Sequence, residues 1–241
     1  VDLGLGRAPG SDGRTAYALQ RDRRDRAPDD FAQQLAELIA YLNDTMPKDH
    51  PFAVLGKTLP GRPEAPEPWL LGTSPDSAGW AAELGLPYCV ADFINPHGAP
   101  LADQYRRAFR PNPHRSVGKP TVMVAVWSIC ADTTAEAERL ASSSRMLFRL
   151  LHRGQLIAVP SPDEAVRFLE TDRAGASSRS RRVVLGTPAT VRAELEAIAE
   201  EYGAQEIMVL NILHSHEARR RSYALLGEAF ALSAQPVLET A

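Results

Sequence analysis

PWLLGTSPDSAGWAAELGLPY, residues 68–88, is the stretch whose pattern decides the fold class. Trp69–Leu71 is a short apolar run of the kind that fills a buried strand. It runs into a turn of small and polar residues, where Ser74 or Asp76 stands in the N-cap position of a helix. That helix ends near Gly85, the residue type that best accommodates a left-handed helix end. Tyr88–Ala91 then reads as a second buried strand. Strand, helix and strand in this order form the repeat of parallel α/β proteins.

The same alternation continues in both directions. Upstream, VDLGLG at 1–6 reads as a strand, followed by a loop over 7–26 rich in Gly, Asp and Arg. A helix is predicted over roughly 29–42, with Phe31, Leu35, Leu38, Ile39 and Leu42 at helical spacing. Residues 43–67 are rich in proline and lack periodicity, which predicts a long surface connection. Downstream, a helix over 101–109 carries Leu101, Tyr105 and Phe109 on one face, and TVMVAVWSIC at 121–130 is the clearest strand. Asp132 or Thr133 caps a long helix over 134–152. An insertion at about 153–182 contains a short helix over 163–170 and the loop TDRAGASSRSRR. Residues 183–185 lead through Gly186 into a helix over 188–202, and a strand over 206–210 precedes a last helix over 216–230 and a frayed tail. This reading has five strands, at 1–6, 69–71, 88–91, 121–130 and 206–210.

Composition narrows the class. The chain has 241 residues, 44% hydrophobic and 24% charged, which suits one large globular domain. With 27 basic against 30 acidic residues the formal charge is −3, so no basic excess points to nucleic acid. No apolar run approaches the ~20 residues of a membrane span, and no secretory signal opens the chain. The two cysteines, Cys89 and Cys130, lie in apolar runs with no CxxC, and read as buried free thiols of a cytoplasmic protein, with a single disulfide as the alternative. The histidines form neither HxxxH nor HExxH, so no metal site is expected.

Four blocks carry a resemblance: DLGLGRAPGSD at 2–12, the 68–88 stretch, VLGTPATVRAEL at 184–195 and QEIMVL at 205–210. In this order and spacing the chain resembles the bacterial luciferase-like monooxygenases, above all alkanal monooxygenase-like members. The resemblance implies a (β/α)8 TIM barrel with its ligand at the C-terminal ends of the strands. It places Val1 at the family's fourth strand. Residues 1–241 are then one barrel domain lacking its first three strand–helix units, with about five of eight strands present. It also implies reduced FMN as cofactor, supplied by a separate flavin reductase, with O2 and a small organic substrate, an aldehyde among the candidates. Catalytic residues stay unassigned, because family members carry such groups in the absent segment. Two alternatives stand beside this reading: an oxidoreductase using the deazaflavin F420, and a non-catalytic or inactive barrel fragment. Open sheet edges would also favour pairing into a homo-oligomer.

Arg7 ends the first strand, on the side where barrels bind ligands. Its planar fork suits a phosphate, and it equally suits a structural ion pair. The hydroxyls of Thr73, Ser74 and Ser77, with the amides of the helix start, make an anion site, or simply an N-cap. The resemblance assigns the flavin phosphate to Arg7 and to this turn, although Thr73 replaces an acidic residue found in bacterial luciferase. Gly4 and Gly6 leave room for a flat ring or serve packing, and Trp80 reads as core. Asp92, Phe93 and Asn95 line a pocket or form a turn, and His97 lies in that loop. His216 and Arg219 read as a capping or ion pair, and the runs RDRRDR at 21–26 and SRSRR at 178–182 as solvated loops, the second also a candidate lid.

Overall fold

The computed structural model describes residues 1–7, 17–18, 30–58, 65–113, 118–172 and 182–232. The run RDRRDR, His114, most of the loop over 7–26, residues 173–181 and the tail beyond 232 lie outside the described residues. Two compact units divide the chain: Val1–Val90 with Pro100–Val122, and Ala91–Ala99 with Met123–Ala241.

The first unit contains strand β1 (Asp2–Leu5), helix α1 (Phe31–Asn43), the single turn α2 (Ala53–Gly56), β2 (Glu67–Gly72), α3 (Pro75–Leu84), most of β3 (Tyr88–Ala91) and most of α4 (Ala99–Ala108). β1, β2 and β3 pair in that order, all parallel, with Gly4 opposite Trp69 and Leu70 opposite Tyr88. α3 lays Ser77, Ala78, Ala81 and Ala82 inward. These small residues let the helix sit close to Leu70, Leu86 and Tyr88, all fully buried. Each fully buried large apolar side chain contributes about 1.5–3 kcal/mol. Tyr105 of α4 reaches into the same core, where its hydroxyl donates to the Leu86 carbonyl at 2.8 Å and accepts the Thr121 N–H at 3.2 Å. Burial pushes this phenol up to about 12.

The second unit holds most of β4 (Val122–Cys130), α5 (Thr134–His152), α6 (Pro162–Thr171), β5 (Val184–Gly186), α7 (Pro188–Tyr202), β6 (Glu206–Leu210) and α8 (His216–Ala229). β4 is buried at every position, as a parallel strand covered on both faces should be. β6 pairs with its first half and β5 with its end, both parallel. β5 is an addition to the five predicted strands: three residues are too few to show a period in sequence, but Ser128 pairs with Val184 and Cys130 with Gly186. Ile129, Ala137, Leu140, Ala141 and Leu213 form one apolar cluster. The helical half of the insertion docks on α5 through Met146, Leu150 and Ala165. Arg153 and Arg149 clasp Asp172 at 2.7 Å and 3.6 Å. Thr133, not Asp132, caps α5, accepting the Glu136 N–H at 3.2 Å. Asp132 instead pairs with Arg221 at 2.6 Å. Cys89 and Cys130 are both buried and form no disulfide.

Candidate functional site

The residues singled out for anion binding come together at the start of α3. The sequence PDSA follows Gly72, Thr73 and Ser74, and the chain reverses there through a reciprocal cap. Ser74 Oγ accepts the Ser77 N–H at 3.3 Å, and Ser77 Oγ accepts the Ser74 N–H at 3.2 Å. Ser77 Oγ also donates to the Ser74 carbonyl at 2.7 Å and lies 3.0 Å from the Tyr88 hydroxyl. Burial raises the Tyr88 phenol, and the Ser77 bond offsets only part of that. Gly72 makes this packing feasible, since a Cβ there would overlap both Oγ and Cβ of Ser77. Ser77 is therefore committed inward, at 6% exposure, while Thr73 and Ser74 are half-buried.

The first-turn amides divide accordingly. Pro75 has none, that of Ser77 serves Ser74 Oγ, and that of Ala78 serves the Ser74 carbonyl at 3.2 Å. Among the described residues, the Asp76 N–H and the Thr73 hydroxyl carry no hydrogen bond. Arg7, two residues beyond β1, reaches this turn. Its Nη1 stands 4.0 Å from Asp76 Oδ2, and its guanidinium lies 5.6 Å from the centre of the Trp80 ring. Trp80 in turn packs against Phe31 at 5.5 Å. It is half-buried and supports Arg7, which corrects its reading as core. With Arg7 at 43% and Asp76 at 65% side-chain exposure, their attraction is screened and adds about 0.5 kcal/mol or less. Among the described residues the turn thus presents the Arg7 cation, the Asp76 amide and the Thr73 hydroxyl, with the Asp76 carboxylate beside them. Such a set can take a small anion. Gly4 belongs to packing: a Cβ there would come within 3.1 Å of Leu71 Cδ1, whereas at Gly6 the nearest atom would be 3.6 Å away.

A second polar constellation follows β3, and only its first member was visible in sequence. Asp92 is fully buried. Its Oδ1 accepts from the Tyr202 hydroxyl at 2.9 Å and from Arg182 Nη2 at 2.8 Å, while Oδ2 has no partner among the described residues. The Tyr202 hydroxyl also accepts the Gly98 N–H at 3.1 Å. Arg182 extends to Glu201 at 2.8 Å and to the Pro96 carbonyl at 2.8 Å. Arg182 is thus an anchor and not a solvated member of SRSRR, whose residues 178–181 lie outside the described residues. Burial holds the Asp92 carboxyl above its ordinary range, although Tyr202 and Arg182 pull it down. His97 is exposed, and its N–H is held by Asn95 Oδ1 at 3.2 Å. His216 meets Arg219 at 2.9 Å, beside Ser215, which caps α8. Burial raises the Cys130 thiol, which keeps it protonated and poorly nucleophilic.

Comparison with known proteins agrees with this architecture. A family model described as luciferase-like monooxygenase matches residues 1–206. A luciferase-like monooxygenase of Escherichia coli (strain K12) is 36% identical over 228 residues, covering 93% of this chain and 66% of that protein. The crystal structure of apo-MsnO8 superposes with a TM-score of 0.79 at 36% identity, covering 97% of this chain and 68% of that one. The oxygenating constituent of 3,6-diketocamphane monooxygenase from the CAM plasmid of Pseudomonas putida, solved with FMN, shares the fold at a TM-score of 0.58 and 16% identity, covering 96% of this chain and 72% of that one. The chain thus spans about two-thirds of the length of these relatives. Its parallel strands and helices, matched over nearly its whole length, place it in the luciferase-like monooxygenase family, an oxidoreductase family of the (β/α)8-barrel type.

Proposed function

We propose that the turn at the start of α3, with Arg7, anchors the phosphate of FMN for a monooxygenase acting on a small organic substrate. The observation that carries this reading is the approach of Arg7, from the end of β1, to Asp76 in the Thr73–Ser77 turn, where the Asp76 amide and the Thr73 hydroxyl carry no hydrogen bond among the described residues. Arg7 would supply a charged fork, Thr73 and Ser74 hydroxyl contacts, and the Asp76 amide a helix-start donor. Ser77 would act from behind, holding the turn in the shape that presents those donors. The residues present fit a phosphate, because this one turn offers an amide and a hydroxyl without a hydrogen bond among the described residues, and a half-exposed guanidinium approaches its Asp76. When bound, reduced FMN supplies the chemistry that activates O2. The protein's part is to fix the cofactor's tail and exclude water around its ring. A separate flavin reductase would provide the reduced cofactor, and an aldehyde is one candidate substrate. This reading places the protein in the cytoplasm, and as a homo-oligomer.

Fluorescence titration of the purified chain with FMN and with riboflavin, which lacks the phosphate, tests the anchor. FMN should bind more tightly than riboflavin, and Arg7→Ala should bring the two together. Equal affinities in the unaltered chain would overturn the reading. A parallel titration with F420 tests the alternative cofactor, since relatives of this fold include an F420-dependent reductase.

A further inference from the structure

Ser128 is the one hydroxyl-bearing residue of β4, VMVAVWSIC. It is fully buried, and its hydroxyl has no hydrogen-bond partner among the described residues. Trp127 stands opposite Leu210 in the parallel pairing of β4 with β6, so Ser128 and Asn211 each follow the last paired row of the two strands. Asn211 is half-buried, and its side-chain Oδ1 is buried without a partner among the described residues. Unsatisfied polar atoms on two neighbouring strands are costly, and they stand at the end of the strands where barrels take their ligands. Both residues, and α8 behind them, belong to the second unit.

The hydrogen bonds around Ser222 decide what this place requires. Ser222 of α8 is fully buried, and its Oγ lies 2.9 Å from the Cys130 backbone nitrogen and 2.8 Å from the outer amide atom of Asn211. The Cys130 N–H can only donate. If the Asn211 NH2 donated to the same oxygen, the Ser222 proton would lack an acceptor among the described residues, and so would nothing be gained for the Asn211 oxygen. Turning the amide over moves its heavy atoms very little and restores the balance: Ser222 accepts from Cys130 and donates to the Asn211 oxygen. The NH2 group then takes the buried position that has no partner, and it needs an acceptor. We infer that Asn211, steadied by Ser222, binds the carbonyl oxygen of a neutral ligand at the C-terminal ends of β4 and β6, with Ser128 as a second donor. Neutrality follows from the surroundings, because among the described residues no charged side chain hydrogen-bonds Asn211, Ser128 or Ser222. A ketone or aldehyde substrate and the ring of a flavin both carry such an oxygen. The inference goes beyond the phosphate anchor and does not depend on it.

Nuclear magnetic resonance of the isotope-labelled chain, titrated with cyclohexanone and with riboflavin, which lacks the phosphate, tests the site. One of the two probes should shift the side-chain NH2 signals of Asn211. A shift with cyclohexanone assigns the substrate's carbonyl, and a shift with riboflavin the flavin ring. Asn211→Leu, similar in size and without polar atoms, should bind that probe about threefold to tenfold more weakly, followed at the Cys130 backbone amide. It should melt no lower than the unaltered chain, because it removes a buried group that lacks a partner. Asn211→Asp keeps an oxygen for the Ser222 proton but replaces the NH2 donor, and should weaken the probe at least as much. Asn211 signals that move with neither probe overturn the inference, and so does a leucine variant that melts lower yet binds as the unaltered chain does, since that is the mark of a purely structural amide. Either result leaves the anchor to be judged separately, by the dependence of FMN binding on Arg7.

Discussion

At the scale of single residues, the tightest constraint is the contact between Gly72 and Ser77. Gly72→Ala forces a methyl into the Ser77 side chain and should lower the unfolding free energy by about 2–3 kcal/mol, measured by urea denaturation. A loss below about half a kcal/mol would mean that the turn relaxes freely. Ser77 shows what sequence can and cannot disclose. A serine three residues after Ser74 announces a cap, and the cap is there. That its hydroxyl also lies against Tyr88, eleven residues on, depends on how helix and strand pack, and no local pattern encodes it. Trp80 is the converse: an aromatic residue in a helix reads as core, yet half of the reason for it is the exposed Arg7 above. Asp92 was legible only as a polar residue after a buried strand. Its partners Arg182 and Tyr202 lie ninety or more residues away, so the network could not be assembled in advance.

At the scale of elements, caps and apolar spacing were the reliable signals. α5 and α7 occupy Thr134–His152 and Pro188–Tyr202, the bounds their sequence predicts, because each starts behind a threonine and carries apolar residues at helical spacing. β5 escaped because a three-residue strand exists only through its partner β4. The short turn α2 escaped for a similar reason: four residues between prolines have no period to read. Thr133 caps α5 without the reciprocal bond that doubles the cap of α3. Thr133→Ala should therefore cost about 1 kcal/mol, and Ser74→Ala should cost more than Thr133→Ala in the same thermal melts. Equal losses would show that the Ser77 side of the box contributes little.

At the scale of the whole molecule, pH acts with two opposite signs. Asp172 is held below its ordinary range by the Arg153 hydrogen bond, so it stabilises the fold above the unfolded carboxyl range and loses that contribution as acid protonates it. Asp132, bonded to Arg221, and Glu136, bonded to Arg139, add in the same direction, weakly because both are exposed. Asp92 works against them. Its folded-state value is raised by burial, so the native chain holds its proton more tightly than the unfolded one, and stability falls as pH rises from the unfolded value through the folded one. Asp92→Asn should remove that decline, making the difference in melting temperature between variant and parent depend on pH above the unfolded carboxyl range of about 4. A pH-independent difference would show that the carboxyl titrates normally. The Tyr202 hydroxyl has one more consequence. By taking the Gly98 N–H, it ties an amide that stands in a loop to the end of a long helix. In deuterated solvent that amide should keep its hydrogen as long as the amides of α7 do, and Tyr202→Phe should return it to the rapid exchange of an open loop.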